Sequence, residues 1–160
     1  MNVRAMVSGP VLTLVLVGAP DRVRHANVAQ GACSLVTQQE ATKALGKPVP
    51  TGIEQVMNAP VMGRQVKMEL CLYGSEVTVA RYALGSVAQT YFAQYRQSLA
   101  GKSDYQDVKG LGDEAFAAKG QLTVRKGEAQ LIIDVGQARG GGAKELEAEK
   151  SLAVLALGRL

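Results

Sequence analysis

Val66-Lys67-Met68-Glu69-Leu70-Cys71-Leu72-Tyr73 puts Val66, Met68, Leu70 and Leu72 on one side of an extended chain. Lys67, Glu69, Cys71 and Tyr73 fall on the other. Strict period-two alternation is the mark of a half-buried strand. The apolar set is expected to face the core and the set containing Cys71 to face outward. Gly74-Ser75 then supplies a tight turn, and Glu76 to Tyr82 reads as the hairpin partner, with Val77 and Val79 facing together. A strand pair of this kind commits the chain to an antiparallel sheet, which needs helices over its apolar face.

Helix signals surround the hairpin. Thr37-Gln38-Gln39-Glu40 is a capping box, in which the Thr hydroxyl accepts an orphan amide and Glu40 reaches back to the cap. Its helix should run to Leu45, with Gly46 as a left-handed stop and Pro48 and Pro50 barring continuation. Thr51-Gly52-Ile53-Glu54 repeats the cap pattern and predicts a turn or two of helix ended by Pro60. Ser86-Val87-Ala88-Gln89 predicts a third helix, to about Leu99. Val87, Tyr91, Tyr95 and Leu99 recur along it every four residues, widened by Ala88 and Phe92, as expected of a core-facing stripe.

Residues 101–112 read as a polar, glycine-punctuated loop, and 115–118 as a short strand. Leu122 to Arg125 and Ala129 to Val135 form a second hairpin around Lys126-Gly127. A connector over 137–142 and a final helix over 143–160 complete the chain. That helix carries Leu146, Leu152, Leu155 and Ala156 on its apolar face, with Glu145, Glu147, Glu149 and Lys150 mostly outside it. The expected fold is α+β, an antiparallel sheet of about five strands with helices packed against it, in the order αββαβββα.

The N-terminus reads differently. Met1-Asn2-Val3-Arg4 is a short positive start, and Val-Leu-Thr-Leu-Val-Leu-Val-Gly-Ala over 11–19 is too short to span a bilayer as a helix. It fits the apolar region of a secretory signal. Val17-Gly18-Ala19 has the small-residue cleavage pattern but is followed by Pro20; Ala26, Ala29 and Ala32 are the other candidates. The alternative is an N-terminal strand or helix of a cytoplasmic protein. Residues 1–29 are therefore taken as a leader with a short linker and 30–160 as a single domain. The setting is secreted, periplasmic or cell-envelope, with no stable transmembrane helix after processing.

The two cysteines sharpen that reading. In an exported domain such a pair is expected as a Cys33–Cys71 disulfide. A lipid-attached Cys33 is the competitor, but Gln30 stands where a lipobox has an apolar residue, and three charged residues separate Cys33 from Ala19.

Composition excludes several function classes. Apolar residues make up 47% of the 160 and aromatics 4%, so the chain builds a core of aliphatic residues and is not disordered. The net charge of +4 includes Arg4, Arg22 and Arg24 of the leader, and no basic cluster beyond Arg125-Lys126 follows. A nucleic-acid partner, which requires clustered positive charge, is not expected.

His25 is the sole histidine and precedes the domain, which removes Ser–His and Cys–His nucleophile pairs and multi-His metal sites. Gly101-Lys102-Ser103 lacks the upstream glycine of a phosphate loop, Arg96 standing in its place. Gly110-Leu111-Gly112 and Gly140-Gly141-Gly142 lack the strand–turn–helix context of a dinucleotide loop. Asp113 and Glu114, as neighbours on an extended chain, should point to opposite faces and share no proton. No catalytic, cofactor-binding or metal-binding residue is expected.

Cys33-Ser34-Leu35-Val36-Thr37 with Glu40-Ala41 and Leu45-Gly46, then Cys71-Leu72-Tyr73, form an ordered series. Val108-Lys109-Gly110-Leu111-Gly112-Asp113-Glu114-Ala115 and Val124-Arg125-Lys126-Gly127 continue it. The series resembles a group of small bacterial exported domains of unknown function, many of them lipoproteins. That group is related in layout to the sensor-like extracellular domains of some actinobacterial proteins. The resemblance implies paired cysteines, an antiparallel sheet packed with helices and an envelope setting, and brings no catalytic residue. The functional expectation is a non-enzymatic envelope or secreted domain binding a small apolar ligand or an envelope protein. The alternatives are a secreted hydrolase using carboxylates and a structural accessory protein of the envelope.

Overall fold

The structure is a computed structural model describing residues 31–136 and 142–160. The leader, His25, the glycine run over 140–142 except Gly142, and most of the connector lie outside the described residues.

The chain is α+β. A seven-stranded antiparallel sheet runs in the order β1-β2-β3-β7-β6-β5-β4. Its strands are β1 (Ile53–Val61), β2 (Arg64–Tyr73), β3 (Val77–Ala83), β4 (Gln106–Val108), β5 (Glu114–Ala118), β6 (Gln121–Lys126) and β7 (Ala129–Val135). The helices are α1 (Ala32–Leu35), α2 (Gln38–Leu45), α3 (Ala88–Leu99) and α4 (Ala143–Leu157), with a 3-10 turn at Gly85–Val87 before α3. The class agrees with the sequence. The count of about five strands and the order αββαβββα do not: α1, β1 and β4 are additional, and a helix expected between α2 and β2 is a strand.

That helix fails for a physical reason. Its cap pattern, Thr51 to Glu54, opens a stretch with the β-branched residues Ile53 and Val56. Met62 and Gly63 then both take positive φ (49° and 77°), closing a two-residue hairpin that pairs Val61 with Arg64 and Ile53 with Leu72. A strand with a continuous nine-residue ladder outweighs a local cap. The missed β4 has only three residues, too few for a pattern.

The sheet has helices on both faces. On one, α1, α2 and α4 cover Cys71, Tyr73, Val79, Leu122, Leu131 and Ile133, the main core. On the other, α3 crosses the sheet, with Ala88 near Val61 and Val66 at one end, and Phe92 and Leu99 against Phe116 and Ala118 at the other. The expected faces of β2 are thus exchanged over its second half, while Val66 of the apolar set is buried with Ala88 of α3. Cys71 and Tyr73 are buried in the main core, whereas Met68, Leu70 and Leu72 are only half-buried on the α3 face.

On this face of β2, partners for Glu69, Cys71 and Tyr73 reconcile burial with that composition. The Tyr73 hydroxyl donates to the Val36 carbonyl, Glu69 lies between Lys67 and Arg81, and Cys71 is bonded to Cys33. The local expectations around α2 hold. Thr37 and Glu40 form a reciprocal capping box, and Gly46 ends α2 at φ 66°. Ser86 does not cap α3; its hydroxyl accepts from Arg64 Nη1 at 3.2 Å. Glu149, expected outside the apolar face of α4, is 2% exposed.

Candidate functional site

Cys33 and Cys71 form a disulfide with Cα atoms 4.8 Å apart. Cys33 sits in α1, a single turn opened at Gly31, where Ser34 folds its hydroxyl back onto the Gly31 carbonyl. Ala32, Leu35 and Val36 beside it have no exposed surface. A helix this short does not hold itself together. The covalent link to β2 and these core contacts hold it instead. The bond therefore lies against the main core, and the outward-facing position expected for Cys71 is corrected. Arg159 completes the frame, reaching back from beyond α4 to the Leu35 carbonyl at 2.8 Å and to both oxygens of Glu40. This guanidinium holds the Glu40 carboxyl down at about 2, aided by the Thr37 amide and hydroxyl.

The run from Gly110 to Ala115 resolves into structural parts. Gly112 has φ +56°, and a Cβ there would strike the Arg125 carbonyl oxygen and lie 2.7 Å from Val124 Cγ1. The Asp113 amide donates to that same Arg125 carbonyl at 2.8 Å. Asp113 Oδ2 accepts from Arg125 Nη1 at 2.7 Å and from the Gly127 amide at 2.8 Å, while Glu114 Oε2 lies 3.4 Å from Arg125 Nε. The expectation of divergent carboxylates is corrected: both reach one guanidinium, because Asp113 precedes β5 rather than alternating within it. The arrangement ties the approach to β5 onto the β6–β7 hairpin. Gly101-Lys102-Ser103 likewise follows α3 as a turn, with the Lys102 amide returning to the Leu99 carbonyl at 2.9 Å.

The tyrosine stripe of α3 packs as a core-facing stripe. Phe92 meets Phe116 edge-on at 5.3 Å, Tyr91 stacks on Tyr95 at 6.2 Å, and the Tyr95 hydroxyl accepts from Gln121 Nε2 at 2.7 Å. Burial raises the Tyr82 and Tyr95 hydroxyls above their ordinary range. Glu149 lies at the β7 end of α4 and accepts the Val135 amide at 3.2 Å. Burial pushes its carboxyl up to about 8, with Asp134 and Glu145 adding to the shift and the amide opposing it. No group of three or more His, Cys, Asp or Glu residues suited to a metal occurs among the described residues. No helix among them is long and apolar enough to cross a membrane.

Among the described residues, one corner of the sheet lies open on the surface. β1 is an edge strand exposed along most of its length. Ile53 (63% exposed), Met57 (42%) and Val56 (58%) are large apolar residues presented to solvent. By register, Ile53 lies opposite Leu72, Gln55 opposite Leu70 and Met57 opposite Met68, all on the α3 face but beyond the reach of α3. Among the described residues, the result is an apolar patch open both on its face and along a hydrogen-bonding edge. The even-numbered residues of β2 signalled this patch in the sequence; β1 did not, because its Thr51-to-Glu54 cap pattern points to helix.

Compared with protein-family models, with curated proteins and with solved structures, the chain matches none.

Proposed function

We propose that this is a non-enzymatic domain of an oxidising compartment, secreted or held in the cell envelope, that binds a protein partner through the β1 edge and its apolar face. The observation carrying this reading is the corner formed by Ile53, Met57, Met68, Leu70 and Leu72. Monomeric proteins rarely leave apolar residues grouped beside a free strand edge, and such patches mark interaction sites. A small apolar ligand binds in a concavity that encloses most of its surface. This patch is open on two sides and suits a protein surface better. The disulfide supports the compartment, since such bonds persist where the surroundings are oxidising. The leader pattern and the resemblance to exported bacterial domains agree with it.

Two measurements test the reading. Intact-mass analysis of the protein from its host should give a mature chain shorter than the one starting at Met1, lacking the two hydrogens of free thiols. A full-length chain with free thiols refutes the compartment. A photo-crosslinking amino acid at position 57 or 72, in the protein expressed in its host, should give discrete protein adducts, and one at the exposed Lys43 of α2 should not. Equal labelling from all three positions, or none from 57 and 72, refutes the binding surface.

A further inference from the structure

Resting on that reading of the corner, we propose that the protein it binds is a second copy of this chain, docked by antiparallel pairing of β1 with β1 about a two-fold axis through Val56.

The backbone of β1 states which groups are free. In a two-residue hairpin with both turn residues at positive φ, the closing pair exchanges both hydrogen bonds, and bonded and non-bonded pairs then alternate. Val61 and Arg64 close this turn, so residues 53, 55, 57, 59 and 61 bond to β2. Glu54, Val56, Asn58 and Pro60 direct their backbone groups outward. Pro60, which has no N–H, falls in the outward set, where it costs the β1–β2 ladder nothing.

The two edges of the sheet are treated differently. β4, at the far edge, has three residues, and its Asp107 is paired with Arg96 at 2.7 Å. Short strands and charges are the usual protection of an edge against pairing. β1 has nine residues, carries Glu54 as its one charge, and keeps a continuous register without a bulge. It is built as an edge that pairs.

Its sequence is complementary to itself. With the axis at Val56, each Glu54 lies opposite the Asn58 amide of the other copy, Val56 meets Val56, and each Met57 meets a Gln55. The single charge faces a neutral hydrogen-bond donor twice over, and Pro60 lies beyond the last full bonded pair. Shifting the axis to Glu54 would set two carboxylates against each other. Three bonded residue pairs supply about six N–H···O bonds. Continuing the sheet also covers Val56 and part of Ile53 and Met57, three of the most exposed apolar side chains. The interface is of the small class, so a dissociation constant on the order of micromolar is expected.

Sedimentation equilibrium of the mature chain purified from its host, with circular dichroism to verify folding, tests this. The wild type should show a monomer–dimer equilibrium in the micromolar range. Val56→Lys, at an exposed position, should weaken it at least tenfold with an unchanged spectrum. Asn58→Lys should tighten the dimer and Asn58→Glu weaken it, each by roughly tenfold, because each substitution meets Glu54 of the other copy twice. A wild type monomeric to roughly 1 mM, far above the expected constant, overturns the proposal, as does a dimer indifferent to Val56→Lys or to the sign at position 58. If the chain is monomeric while positions 57 and 72 still crosslink to a different protein, the binding surface stands and self-association alone is refuted.

Discussion

Breaking the Cys33–Cys71 bond perturbs the one element that cannot persist alone. The bond closes a loop of sequence separation 38, and the chain-entropy relation assigns such a loop roughly 4 kcal/mol at 25 °C. That is a large share of the roughly 5–15 kcal/mol typical of a domain. Reduction leaves both sulfur atoms in place, so reduced wild type isolates the crosslink. Cys33→Ala/Cys71→Ala also empties space in the core, because Cys71 is fully buried, and should cost on the order of 1 kcal/mol more. In urea, with a slope of about 1.5 kcal/mol/M, the midpoint should fall by roughly 2.5 M on reduction, and further in the double variant. Hydrogen exchange on the reduced protein should show α1 opening before the strands, since four residues hold few bonds of their own. Oxidised and reduced midpoints within roughly 0.5 M at equal slope would refute the reasoning, leaving packing of Ala32, Leu35 and Val36 as sufficient.

Glu149 gives a pH dependence of definite sign. Its folded-state pKa of about 8 lies above the ordinary 4.5, so the unfolded chain ionises first and stability declines as pH rises from about 4.5 to about 8. Glu149→Gln keeps an acceptor for the Val135 amide and should stabilise the fold by roughly 3 kcal/mol at pH 7 while flattening that decline; an undiminished decline in chemical denaturation at pH 5 and 8 would exclude Glu149 as its source. Glu40 works in the opposite sense. Its carboxyl is held at about 2, so its contribution is full above pH 4.5 and is lost as pH falls toward 2; Arg159→Ala should cost about 1 kcal/mol at pH 7 and little at pH 2, read from thermal midpoints. Gly112→Ala combines a left-handed φ with a collision against the Arg125 carbonyl and should cost at least about 2 kcal/mol, whereas Gly127→Ala, with φ +58° but nothing within 4 Å, should cost about 1 kcal/mol; equal losses in urea would show that conformation alone governs both.

Elements with a local cause were legible in the sequence. The capping box at Thr37 and Glu40, the left-handed Gly46, the alternation of β2 and the β6–β7 hairpin are each set by neighbouring residues. The Cys33–Cys71 pair was likewise legible, because an exported reading leaves two cysteines few other fates. The candidate site was half legible. Val66, Met68, Leu70 and Leu72 stood out as one apolar face, but β1, which makes that face a corner with a free edge, carried the signature of a helix start.

Alternation reveals that a strand has two faces, not which one the helices will cover. On β2 the side chains that look polar in a list went inward, because Glu69 finds Lys67 and Arg81, Tyr73 finds the Val36 carbonyl, and Cys71 finds Cys33. Those partners lie up to 38 residues away, beyond any local window. The same holds for Glu149, read as solvent-facing from its helix and buried once β7 packs against it. The sequence by itself determined the class, the β2–β3 and β6–β7 hairpins and the cysteine pair, since these depend on short-range backbone preference and on compartment. Tertiary structure alone decided the inward face of the sheet and the free edge at β1, since burial is settled by whichever distant groups satisfy each polar atom.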